Sequence, residues 1–166
     1  IARHLLHWGH PAEVFLLGLK DTVSDDTGQN LKLLEDAGSR VCPLFDDTQW
    51  PRLEEALQGA ALVVDALLGT GMQGAVRGPA LTAIEKINAA RARGAKVLAV
   101  DCPSGLDCNT GEALGVAVQA DVTVTFAAAK RGFALGQGSE LCGSVVVADI
   151  GLPRELYRRR QTMGTA

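Results

Sequence analysis

Three things are scarce in this 166-residue chain: basic charge, long apolar runs and closely spaced cysteines. A formal net charge of -3 provides no basic field for nucleic acid. The one basic cluster, Arg154 to Arg160, alternates with Glu155 and Tyr157 and reads as a solvated terminal helix or linker. No apolar stretch approaches the ~18 residues that a membrane span needs, so the expectation is a cytoplasmic protein without membrane contact. Low-complexity tracts and internal repeats are absent. Cys42, Cys102, Cys108 and Cys142 include no CxxC spacing and read as reduced, mostly buried thiols. Cys102 lies next to an aspartate but has no histidine near it in sequence to serve as base, which argues against a nucleophile there.

What remains has the composition of one ordinary domain, 47% hydrophobic and 21% charged, long enough to bury a proper core. Apolar runs at 13-19, 40-45, 61-68, 96-101, 121-127 and 144-150 read as strands. Most are continuously apolar, as expected where both faces of a sheet are covered. Helical patterns lie between them. Ser24 caps one that stops at Gly38, "WPRLEEALQ" stops at Gly59, and a third runs from Pro79 to a stop at Gly94. This alternation predicts an α/β fold, a three-layer αβα sandwich around a Rossmann-like, mostly parallel sheet. After Asp101 the strands are joined by loops, so the last ones are expected either to pair antiparallel or to lie at an edge. Residues 1-8 read as the tail of a helix ended by Gly9, without a visible start, and suggest that structure is missing upstream. His4, His7 and His10 read as surface histidines at that helix end rather than as zinc ligands.

In such folds ligands bind at the carboxyl ends of the strands. There "VVDALLGTGMQGAVRGP" carries Gly69-x-Gly71-x-x-Gly74, a weak nucleotide signal. A Rossmann fingerprint opens its helix within the glycines, whereas here the helix is predicted to start near Pro79, leaving the glycines in a free loop. Asp65 and Asp101 close successive strands, and an ionised aspartate in an apolar strand needs a partner. Asp65 is expected either to accept N-H groups of its own glycine loop or to meet a cation or ligand. Asp101, in "DCPSG", either caps an Asx-type turn or faces the crevice with Ser104. Lys130 and Arg131, after the next strand, are cations suited to phosphate oxygens or else plain surface charges.

Taken in order, "VVDALLGTGMQGAVRGP", "VLAVDCPSGLDCNTGE", "ADVTVTFAAAKRGF" and "GSVVVADIGLP" resemble the YjeF N-terminal domain family, the NAD(P)H-hydrate epimerases. The resemblance covers residues 1-153 as one domain and leaves 154-166 as a tail or linker. It implies that an Asn-Asn-Gly-Gly-Asp loop, absent here, precedes the opening helix, and that a dehydratase domain follows in many members. It also implies an isomerase that interconverts the R and S epimers of hydrated nicotinamide cofactors, NAD(P)HX, at C6 for metabolite repair. Gly69, Thr70, Gly71, Met72, Gln73, Gly74 and Ala75 would line the dinucleotide phosphates, and Asp101 would contact the altered nicotinamide. Asp65 and Ser104 would help hold one potassium ion per subunit, and no redox cofactor is implied. Asp101, with Lys130 second to it, is the expected proton-moving group. Homodimers or fused forms are the expected assemblies. A binding module of the same fold without catalysis is the alternative.

Overall fold

A computed structural model of the chain describes residues 1-10, 12-18, 23-72 and 74-153. The basic cluster at 154-160 and Gln73 therefore lie outside the described residues. The chain divides into two compact units, residues 1-63 with 76-95, and residues 64-75 with 96 onward.

In the first unit α1 (Ala2–His7) ends where Gly9 turns left-handed, and His10 N-H closes the cap on Leu5 O at 2.8 Å. His4 packs its ring on Trp8. Strand β1 (Val14–Leu17) pairs parallel with β2 (Val41–Leu44), joined by α2 (Asp25–Asp36). Ser24 caps α2 by accepting the Thr27 N-H, as its position before two aspartates predicts. Helix α3 (Trp50–Gln58) buries Leu53 and Leu57, and α4 (Gly78–Ala92) buries Ala83, Ile84, Ile87 and Ala90, one stripe at helical spacing. Leu44, Leu53, Leu57, Ala90 and Ala95 form this unit's core. Lys86 reaches Glu54 across α3 and α4, with its ammonium over the Trp50 ring.

A four-stranded sheet is ordered β3-β4-β5-β6, with β3 (Leu62–Asp65), of which Val64 and Asp65 belong to the second unit, and β4 (Lys96–Val100), β5 (Val122–Phe126) and β6 (Ser144–Ala148) of that unit. β4 with β5 and β5 with β6 pair parallel, so the antiparallel alternative for the last strands is overturned, while β6 does lie at an edge. A short 3-10 turn (Arg131–Ala134) and α5 (Gly138–Cys142) make the crossover that a loop reading of the sequence hides. The fold is α/β and Rossmann-like, with its described strands in two sheets, β1-β2 and β3 to β6, in which β1 with β2, β4 with β5 and β5 with β6 run parallel.

The connection from β4 to β5, residues 101-121, has no helix. It folds on itself through one bridge between Leu106 and Ala113 and buries Cys102, Leu106, Cys108 and Ala117 with Phe133, Leu141 and Cys142. Gly105 is essential to that turn: its φ is 89°, and a Cβ there would overlap the Val116 carbonyl.

Candidate active site

Parallel pairing places the ends of β4 and β5 at one edge of the sheet, and β3 lies next to β4. Asp65 ends β3, Asp101 follows β4 directly, and Lys130 lies four residues beyond the end of β5. Helix α4 begins at Gly78, so the glycines at 69-74 do form a loop ahead of the helix. Gly69, Gly71 and Gly74 have nothing within 4 Å of where a Cβ would stand, which leaves their backbone open to a ligand. The loop is tied to the Asp101 turn at its start, where Leu68 N-H donates to Ser104 Oγ at 3.0 Å.

Asp65 and Ser104 form a buried clamp, each 1% exposed. Ser104 Oγ donates to Asp65 Oδ1 at 2.6 Å, and Ser104 N-H donates to Oδ2 at 2.8 Å. Leu67 N-H adds a third bond at 3.2 Å, so part of the carboxylate does cap its own loop, through Leu67 rather than a glycine. Burial pushes the Asp65 carboxyl up, and the Ser104 and Leu67 donors only partly offset it. Among the described residues no Lys or Arg pairs with it. A buried carboxylate beside a hydroxyl oxygen, without a protein counter-charge, is a donor set that fits a hard monovalent cation. No cluster of three His, Cys, Asp or Glu suited to a metal occurs among the described residues.

Asp101 behaves differently from the turn-capping alternative. Its φ is 67°, a left-handed value unusual for a residue with a side chain, and it turns the carboxylate away from its own loop. Oδ1 accepts three donors: Thr125 Oγ1 at 3.0 Å, Phe126 N-H at 3.0 Å and Lys130 Nζ at 2.7 Å. Oδ2 accepts none among the described residues. Burial raises this carboxyl, but Lys130, Phe126 and Thr125 together outweigh it and leave it below the usual aspartate range. The result is an ionised group with one oxygen anchored and one without a donor among the described residues. The Asx turn sits instead at Asp107, which accepts Asn109 N-H at 2.7 Å and Thr110 N-H at 3.1 Å.

Lys130 is a paired cation. Its ammonium is held by Asp101 and by Phe126 O at 3.1 Å, while the neighbouring Arg131 is exposed. Its loop is fastened to the Asp101 loop by Gly132 N-H donating to Cys108 O at 2.7 Å. Thr125 was not among the residues singled out from the sequence. Its signal was present in "VTVTF", where two threonines occupy alternate strand positions and both turn out fully buried. Thr123 bonds Cys142 O, and Thr125 bonds Asp101. The expectation of reduced cysteines is corrected at one pair, since the structure joins Cys102 and Cys108 in a disulfide. The first unit carries two clefts, one of about 530 Å³ against α3 and α4, lined by Glu54, Lys86 and Arg93 among others, and one of about 330 Å³ beside β2.

Residues 1-132 match the family described as YjeF-related protein N-terminus. The chain belongs to that YjeF N-terminal family. This YjeF N-terminal chain is 36% identical over 163 residues to the NAD(P)H-hydrate epimerase of Pirellula staleyi, covering 98% of itself and 70% of that protein. It is 40% identical over 156 residues to the bifunctional NAD(P)H-hydrate repair enzyme Nnr of Moorella thermoacetica, covering 94% of itself and 29% of that protein. The YjeF N-terminal chain thus spans under a third of the length of the bifunctional relatives it matches. Its fold is similar to the crystal structure of yeast ynu0, with a TM-score of 0.78 at 20% identity, over 95% of this chain and 63% of that one.

Proposed function

We propose that this domain epimerises hydrated nicotinamide cofactors at C6, the reaction that the names of its relatives carry. The observation that supports it most directly is Asp101, an ionised carboxylate at the carboxyl end of β4 with Oδ1 anchored by three donors and Oδ2 without a donor among the described residues. Epimerisation at C6 requires a group that takes a proton from the C6 hydroxyl and returns it after the carbon has been attacked from its other face. When Asp101 Oδ2 accepts that proton, the C6-oxygen bond becomes a carbonyl. The C6-nitrogen bond breaks, with its electron pair going to the ring nitrogen. Return of the proton as nitrogen adds to the opposite face gives the other epimer. Electrons balance without an oxidant or reductant. Lys130 is a positioning residue: it keeps Asp101 ionised and aimed.

The open glycine loop, residues 69-75, suits the phosphates of the dinucleotide, whose oxygens would meet backbone N-H groups. Asp65 and Ser104 would hold a potassium ion, which when bound would neutralise the buried carboxylate and steady charge developing nearby. No helix among the described residues is long and apolar enough to cross a membrane, and a cytoplasmic setting, where the cofactors are used, fits the reading.

Asp101→Asn tests it. The change keeps the shape and removes the proton acceptor, so epimerisation of NADHX followed by chiral chromatography should fall by about 10²-fold or more, while nucleotide binding survives. Near-normal rates in this variant would remove Asp101 from the proton transfer. Nucleotide binding without epimerisation in the wild-type chain would favour a binding module.

A further inference from the structure

We propose that Cys102 and Cys108 are a reversible redox pair whose state governs the geometry of the Asp101 and Lys130 couple. The catalytic consequence and the cytosolic setting rest on the function proposed above; the sulfur exchange itself does not. Within the chain the two cysteines stand six residues apart, and the fold brings their Cα atoms to 7.0 Å, with both sulfurs near Leu106 O. Gly105 makes this possible by turning the loop back with its positive φ.

Each end of the bridge belongs to one member of the couple. Cys102 directly follows Asp101. Cys108 holds, through its carbonyl, the N-H of Gly132, two residues past Lys130. Ser104, clamped on Asp65, lies inside the ring that the disulfide closes. The disulfide therefore closes a ring within the loop that carries the carboxylate, and that same loop holds the ammonium's loop through Cys108 O, with Ser104 of the cation clamp inside the ring. Disulfides in cytosolic proteins are mostly transient, catalytic or redox-sensing rather than structural. The other two cysteines do not compete. Cys142 is fully buried and its thiol is pushed up to about 11 by that burial, and Cys42 lies in the first unit.

The oxidant by class is a low-molecular-weight disulfide such as that of glutathione. Cys108, the less buried residue of the two, is taken to react with it first. Its thiolate attacks one sulfur of the small disulfide, and one thiolate leaves and takes up the Cys108 proton. The Cys102 thiolate then attacks Cys108 Sγ and expels the second small thiol, which carries the Cys102 proton. Two S-H bonds and one S-S bond are lost, one S-S and two S-H bonds are formed, and two electrons pass from the pair to the small disulfide. Reduction runs the same steps backward.

The test equilibrates the full chain across ratios of reduced to oxidised glutathione, then quenches it with an alkylating reagent and digests it with trypsin. Peptide 97-130 contains Cys102 and Cys108 and no other cysteine, so its mass reads the pair directly. The pair should switch between alkylated and bridged forms as the ratio changes. The bridged chain should melt about 5 °C higher, since a short ring is closed in its unfolded state. Epimerisation should be about threefold or more faster in the bridged form, which holds the couple in register. Cys108→Ser should abolish both responses, and Cys102→Ala should do the same if Cys108→Ser does not fold. A peptide mass that never changes with the ratio overturns the proposal, as does a mass change that moves neither melting nor rate. A mass and melting switch in a chain that epimerises in neither state supports the redox pair and overturns the function instead.

Discussion

Replacing Lys130 by methionine isolates the electrostatic part of the candidate site. Methionine keeps most of the side-chain length and removes only the ammonium that lies 2.7 Å from Asp101 Oδ1. Both side chains are about a quarter exposed, 23% for Lys130 and 27% for Asp101, so the pair is neither solvent-screened like a surface bridge nor fully desolvated. A hydrogen bond to a charged group at such a place contributes about 1.5–3 kcal/mol. About 2 kcal/mol corresponds to a fall in melting temperature of about 4–8 °C for a chain of this length. The pH dependence gives the sharper reading. The Asp101 carboxyl sits below its ordinary range in the folded chain, so its contribution is present above the unfolded value and is lost as pH falls through the folded one. Without Lys130, burial is opposed only by Thr125 and Phe126, and the folded value rises. The gap in melting temperature between wild type and Lys130→Met should therefore be largest near pH 7 and close as pH falls below about 4. Melting curves by circular dichroism from pH 7 to pH 3.5 measure it. The acid limb of the epimerisation rate should also move to higher pH, with kcat affected more than KM. A gap that stays constant across the whole pH range would show that methionine acts through packing, and would refute the account of Asp101 as a carboxylate held ionised by its partners.

Two further outcomes follow from the same contacts. At equal ionic strength, about 0.1 M potassium should raise the melting temperature more than lithium does, by about 3 °C for a site half filled near 0.01 M. Asp65→Ala should erase that difference, and equal effects of the two cations on the wild type would reject the cation site. Thr125→Val removes one donor from Asp101 Oδ1 at nearly constant volume and should cost about 1 kcal/mol, read in urea melts. It should also shift the acid limb of the rate upward, and an unmoved limb would mean that Thr125 serves the fold alone.

The same residues show what was legible beforehand. The six described strands lie within the apolar runs read from the sequence, although β6, at the sheet edge, leaves Val145, Val146 and Val147 exposed. Helix ends were legible where chemistry marks them: Ser24 before α2, and Gly9, Gly38 and Gly94 at left-handed positions after their helices. Local signals of that kind do not report partners. Asp101 and Lys130 could each be singled out, but not as partners of one another, because they meet only when β4 and β5 pair in parallel register. Read as isolated segments, Asp101 was either a turn cap or a crevice-facing group and Lys130 either a phosphate cation or a surface charge.

What the sequence by itself determined, then, is the alternation of strands and helices, the loop placement of the glycines, and the candidates Asp65, Asp101 and Ser104. Each follows from short-range patterning, whose periodicity and turn chemistry act over a few residues. The tertiary structure alone decided that Asp65 grips Ser104 across 39 positions of chain and that Thr125 turns inward while Val124 does not. It alone decided that Lys130 neutralises Asp101 and that Cys102 meets Cys108. The physical reason is common to all four: a buried polar or charged group takes whichever partner sheet register and loop folding bring within bonding distance, and that proximity is not written in the spacing of residues along the chain.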